Sequence, residues 1–179
     1  MALAVVNYPD FKKADYDWIQ GVRRAHDRLF FKVVAPHVPI VFPTDEIAQE
    51  TLAEHVREQV AGVAPFEVVF RCVILGDPDF MEHAHAFLTP DEGFSEVVRL
   101  HDRLYTGPLA SELRLDLPFI PHIGIASLPD MEECKQVVDQ LNETRFEIRA
   151  RVEQVTVIGY DGRQVWTIEE VALPAAARG

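Results

Sequence analysis

The sequence predicts an α+β fold with α/β-type alternation: two similar lobes related by a pseudo-twofold axis, with antiparallel-rich sheets and flanking helices around a central cleft. Three observations lead there. Apolar residues recur with a period near two in some stretches and near 3.6 in others, and the two kinds alternate along the chain. Helix-start and turn signals separate them. The order of elements, with some of its local sequence, occurs twice.

In order, LAVVNY (3–8) reads as a strand and the amphipathic stretch from about Tyr16 to Arg28 as a helix. Residues 31–42 read as a strand. Thr44 then serves as an N-cap ahead of first-turn carboxylates, in a helix that stops at Gly62. FEVVFRCVIL (66–75) is a strand and GDPD (76–79) a turn. MEHAHAFL (81–88) alternates like a half-buried strand, and TPDEG opens a helix from about Phe94 to Tyr105. FIPHIGIASL (119–128) is a strand and DMEECKQVVDQLNE an acid-started helix. FEIRARVEQVTVIGY and RQVWTIEEVAL form a hairpin around Asp161-Gly162, a favoured two-residue turn.

The repeat is visible residue by residue. RAHDRLF (24–30) and RLHDRLY (99–105) share the form R-x-H-D-R-L-aromatic. Each precedes a Pro-His strand, APHVPIVFP (35–43) and PHIGIASLP (121–129), and each strand precedes a helix that opens with Asp and Glu. The pattern suggests an internal duplication with approximate repeats 16–75 and 91–158, in one bilobal domain spanning 1–179 with a frayed tail at 174–179. In a strand, alternate side chains share a face, so Val38, Ile40, Ile123 and Ile125 fill the lobe cores. His37 and His122 then face the cleft, where one neutral and one protonated imidazole suit proton transfer to and from oxygens on phosphorus.

Composition bounds the function. Apolar residues make up 48% and charged ones 26%, as in an ordinary globular domain. The formal net charge of -12 repels long polyanions, which argues against long nucleic acid as a ligand but not against a small phosphate ester. No window is long and apolar enough for a membrane helix, so a cytoplasmic protein is expected. Cys72 and Cys134 show no metal-ligand spacing and read as buried reduced thiols. There is no GxxxxGK or GxGxxG loop to support nucleotide-driven ligation.

The paired Pro-His strands, with the IVFP ending of the first, resemble the 2H phosphoesterase superfamily in its 2'-5' RNA ligase and cyclic phosphodiesterase branch. The resemblance runs from LAVVNYP to WTIEEVAL. It implies a metal-independent, cofactor-free bilobal enzyme in which His37 and His122 are the catalytic acid and base. In the family a Thr or Ser two residues after each histidine holds the phosphate; here those positions are Pro39 and Gly124. Replacement phosphate contacts could come from the Gly124 backbone, Arg71, Arg149, Arg151, Tyr8 or Tyr105. The expected function is hydrolysis of a small cyclic or 2'-5'-linked nucleotide, and the alternative is a catalytically impaired protein that binds a nucleotide or phosphate ester. The other histidines are read as structural: His26 and His101 in local ion pairs, His55 on an exposed helix, and His83 with His85 as an alternation lacking a third metal ligand.

Overall fold

The computed structural model describes residues 1–76 and 82–174. Most of the turn expected at 76–79 and most of the tail expected at 174–179 lie outside the described residues.

Nine strands and four helices follow in the order β1 (Ala2–Asn7), β2 (Asp10–Phe11), α1 (Lys13–His26), β3 (Val38–Thr44), α2 (Gln49–Val60), β4 (Phe66–Leu75), β5 (Ala84–Glu92), α3 (Phe94–Leu104), β6 (Ile123–Leu128), α4 (Met131–Asn142), β7 (Ile148–Val152), β8 (Gln154–Tyr160) and β9 (Val165–Ala172) among the described residues. One sheet has the order β3-β1-β8-β9 and the other β2-β7-β4-β5-β6. All the strand pairs are antiparallel. The order β-α-β-α-β therefore occurs twice, and each sheet takes strands from both halves of the chain. α1 and α4 pack on the five-stranded sheet, whereas α2 and α3 pack on the four-stranded one.

This crossing gives both sheets one core. Val5, Val38 and Ile40 from one sheet and Phe70, Leu88, Ile123 and Ile125 from the other belong to the same apolar cluster, each at most 1% exposed. Burying an Ile side chain fully stabilises by about 1.5–3 kcal/mol, so these strand alternates bind the lobes together. β3 and β6 are edge strands of their sheets, and they touch one another. The residues just before them are His37 and His122.

Local chemistry explains the helices. α4 is capped by Asp130, which accepts from the Glu133 amide at 2.7 Å, and it buries Cys134, Val137 and Val138 at helical spacing. α3 buries Val97, Leu100, His101 and Leu104 on one stripe. It starts at Gly93, whose φ of 79° and collision of any Cβ with the Glu67 carbonyl leave room for glycine alone.

Several expectations are corrected. The stretch expected as strand from 31 begins its strand only at Val38, because the chain turns first: the Val33 and Val34 amides donate to the Phe30 carbonyl at 2.9 and 3.1 Å, and the buried Arg23 guanidinium takes the Phe30 and Val34 carbonyls at 3.2 and 2.8 Å. Arg23 is only 1% exposed, and its guanidinium also donates to Asp27 at 3.0–3.1 Å. Thr44 does not cap α2, which begins only at Gln49. It ends β3 opposite Leu3, and its hydroxyl accepts from the Glu46 amide. The stretch 146–160 is not one strand: it breaks at Glu153, with β7 in one sheet and β8 in the other. The β8-β9 hairpin has a four-residue loop, because Tyr160 pairs with Val165 and Asp161 accepts from the Arg163 and Gln164 amides. Cys72 is exposed, and only Cys134 is buried; both are free. No described helix is long and apolar enough to cross a membrane.

Removing one member of a buried ion pair strands the other charge, at a cost of about 3–5 kcal/mol. Arg23→Ala is expected to lower the unfolding free energy by about that amount in urea titrations, whereas Arg71→Ala, in an exposed and screened network, changes it far less. Equal effects of the two would contradict this account.

Candidate functional site

The two histidines are built alike. His37 Nδ1 lies 2.8 Å from the Ala35 carbonyl and His122 Nδ1 lies 2.6 Å from the Ile120 carbonyl, in each case the residue two before. A carbonyl oxygen only accepts, so each neutral ring carries its proton on Nδ1 and presents an Nε2 lone pair. The intervening prolines, Pro36 and Pro121, are buried, and their fixed φ holds each short bend.

Rings pack around both. Tyr8 lies against His37 at 6.0 Å between centroids, and Phe87 stacks on His122 at 3.8 Å with 24° between planes. The stack continues from Phe87 to His85 at 5.9 Å and from His85 to Phe30 at 6.5 Å. Burial lowers the pKa of each catalytic candidate to about 4. At His37 the Ala35 carbonyl raises it against burial, Arg23 lowers it and Asp27 raises it. At His122 the Ile120 carbonyl raises it, whereas charge on His37 or His85 lowers it.

Pro39 follows His37 on β3 opposite Val6, and Gly124 follows His122 on β6 opposite Phe87. A Cβ added at Gly124 would meet no heavy atom within 4 Å, so the space for a side chain there is open. Asn7 pairs with Val38 and Leu88 with Ile123, so the register brings Tyr8 opposite His37 and Thr89 opposite His122. Sequence reasoning missed Thr89. Its Oγ1 is buried and lacks a hydrogen-bond partner, and only the register identifies it.

The arginines are engaged elsewhere. Arg71 is paired with Asp91, Glu92 and Glu147 at 2.9, 2.5 and 2.9 Å, and these hydrogen bonds push its pKa up. Arg149 pairs with the same Glu147 and Arg151 with Glu153, each at 2.8 Å. Tyr105 is buried, and its hydroxyl accepts from the Phe42 amide at 3.0 Å. Tyr8 keeps partial exposure and lines an open cavity of about 400 Å³ together with Val34, Ala35, Gln154, Thr167 and Glu170. His55 is not exposed: it is 5% accessible, with Nε2 against the Leu104 carbonyl at 2.8 Å. His101 is held by the backbone of the neighbouring strand rather than by a local ion pair; it is buried, with Nδ1 on the Ile40 carbonyl at 2.8 Å. No three His, Cys, Asp or Glu side chains converge as a metal-binding group among the described residues.

With this geometry established, comparison with known proteins decides the family. The sequence model of the 2'-5' RNA ligase superfamily matches residues 10–164. The chain belongs to that superfamily. The fold agrees: TT0787 of Thermus thermophilus superposes with a TM-score of 0.68 at 16% identity, covering 99% of this chain and 100% of that one. E. coli LigT in complex with 3'-AMP gives 0.58 at 16% identity, over 96% and 97%. Usb1 of Kluyveromyces marxianus gives 0.56 at 8% identity, over 93% and 97%. No curated protein matches the sequence. At such identities these structures establish a shared two-lobed fold, and within this 2'-5' RNA ligase superfamily member the paired imidazoles flank the meeting edges of the two sheets.

The lowered pKa values have a consequence for stability. In the unfolded chain a histidine ionises near about 6.5. Between that value and about 4 the unfolded state binds more protons. Stability from the buried neutral rings is therefore complete above about pH 6.5 and is lost as the pH falls toward 4. Titration of the ring protons by NMR should give two midpoints near 4. The slope of unfolding free energy across that window should flatten in the His37→Asn, His122→Asn double variant, and an unchanged slope would contradict the assignment.

Proposed function

We propose that this protein is a cytoplasmic, metal-independent 2H-type phosphoesterase that hydrolyses a small cyclic or 2'-5'-linked nucleotide, with His37 and His122 as acid and base. The observation that carries the reading is the matched pair of Nδ1 contacts, which leaves both Nε2 atoms available for proton transfer. On a cyclic phosphate, one Nε2 takes a proton from water as the water oxygen bonds to phosphorus. The other, protonated, gives its proton to the departing ribose oxygen as that phosphorus–oxygen bond breaks. The rings thereby exchange protonation states and reset through solvent.

Both rings are neutral near pH 7 in the free protein, because burial lowers their pKa values to about 4. A bound phosphate anion opposes that effect and favours the imidazolium, so substrate binding supplies the missing acid. LigT has been solved with 3'-AMP, ATP and NADP+, which supports a small nucleotide here. The cavity beside Tyr8 and Ala35 offers room for a nucleoside, and the net charge of -12 disfavours long strands. The hydroxyls missing at Pro39 and Gly124 have substitutes in Tyr8 and Thr89, which the register brings opposite the histidines.

A second reading follows from those same two positions. A hydrogen bond to a charged oxygen is worth about 1.5–3 kcal/mol, so two uncompensated losses weaken transition-state binding by roughly two to four powers of ten. The chain would then be a catalytically impaired protein that binds a nucleotide or phosphate ester. A panel of 2',3'-cyclic and 2'-5'-linked nucleotides separates the two. The first reading expects turnover that His37→Ala and His122→Ala each reduce by about 10²–10⁴-fold, with Gly124→Ser raising kcat/KM by about tenfold through the open space at that position. Calorimetric binding without turnover supports the second, and neither binding nor turnover would overturn both.

A further inference from the structure

We infer that the ends of α1 and α3, where the repeated heptapeptide lies, are crossed latches that fix the spacing of the two imidazoles. Each holds the residue three before the histidine that follows it in the chain and the residue five after the other histidine. This rests on the reading that His37 and His122 form one site.

The first latch is the end of α1. Arg23 Nη2 donates to the carbonyl of Val34, three residues before His37, at 2.8 Å. Asp27, bound to the same guanidinium, accepts from the hydroxyl of Ser127, five residues after His122, at 2.8 Å. The Ser127 hydroxyl in turn accepts from the Leu29 amide at 2.9 Å, and the Ser127 carbonyl accepts from the Arg28 amide at 3.3 Å. Asp27 and Ser127 also form an isolated β-bridge.

The second latch uses other chemistry at the same places. His101 stacks on Phe119, three residues before His122, at 3.6 Å with 5° between planes. Tyr105 accepts from the amide of Phe42, five residues after His37, at 3.0 Å, and His101 Nδ1 donates to the Ile40 carbonyl at 2.8 Å. Both helix ends thus join the approach to one histidine with the strand that follows the other.

Apolar packing between lobes is non-directional and tolerates sliding; hydrogen bonds with fixed geometry do not. Two imidazoles acting on one phosphate need that restriction, since a misplacement of about 1 Å costs about 10²-fold in rate. Tyr105, Ser127, Asp27 and His101 are accordingly positioning residues, acting through the histidines.

The test uses Ser127→Ala and Tyr105→Phe, each of which removes one hydroxyl and adds no bulk, with Ser127→Thr as the variant that keeps it. In the otherwise unaltered protein, His37→Ala is expected to raise the NMR-measured pKa of His122 by removing a neighbouring charge. That shift should be smaller in each latch variant, smallest in the double variant, and restored in Ser127→Thr. For the nucleotide turned over by the parent, kcat should fall by about tenfold or more with KM within about twofold. An unchanged shift in both variants, with only the melting temperature lowered, would overturn the latches and leave simple struts. If the parent turns nothing over, the proposed hydrolysis fails, yet the pKa measurement still decides the latches.

Discussion

The Asp27 carboxylate is the point on which the arrangement depends. It accepts from the Arg23 guanidinium, the Phe30 amide and the Ser127 hydroxyl, so a charge that burial would make costly is instead surrounded by donors. Those donors come from α1, the segment after it and β6, which follows the other histidine. Arg23 Nη2 also donates to the Phe30 and Val34 carbonyls before His37, and Nη1 donates to the Gln20 side chain. One buried pair thereby determines where β3 begins and how α1 sits on β6. Arg71 meets more carboxylates, but it does so in partial exposure, where screening makes the contacts weak.

The partial burial of the two imidazoles sets the proton chemistry. Charge on His37 would be felt at His122, so two imidazolium rings oppose each other and both lose hydration. The neutral pair is the favoured resting state, and an anion between the rings reverses the balance for one of them. Affinity for a phosphate and readiness to donate a proton are then linked through the same electrostatic interaction. On the proposed reading, the net charge of -12 disfavours long polyanions at a distance, while polar and aromatic groups beside the histidines receive a small ligand.

How far the sequence disclosed this varies with physical cause. β4 was legible to the residue because FEVVFRCVIL is bounded by a proline and a glycine and lies inside its sheet. α3 and α4 were legible through their apolar spacing, and α4 also through its Asp cap. The break at Glu153 was marked only by a slip in phase, as apolar Ile148, Ala150 and Val152 give way to Val155 and Val157 across the polar pair Glu153-Gln154, and nothing local says that the partner sheet changes there. Arg23 was not legible, because only tertiary packing reveals that it is buried and that its partner lies one turn later in the interior. His55 looked exposed for the same reason. At the site, the two histidines were legible from equivalent Pro-His positions, whereas Thr89 depends on strand register, to which no local pattern points.

The two altered motif positions differ physically, and the difference bears on the proposed chemistry. Pro39 removes both a hydroxyl and a backbone donor, and its ring occupies the position opposite Val6. Gly124 keeps its N–H, and the space beside it is empty out to 4 Å, so that half of the site lacks a side chain but not the room for one. A phosphate approaching His122 can therefore come closer to the backbone than one approaching His37, where the nearest hydroxyl across the strands belongs to the larger Tyr8. On the proposed reading the ligand is held unequally, by backbone and a small hydroxyl at one histidine and by a phenol at the other. That inequality distinguishes two imidazoles whose own hydrogen bonds are otherwise matched.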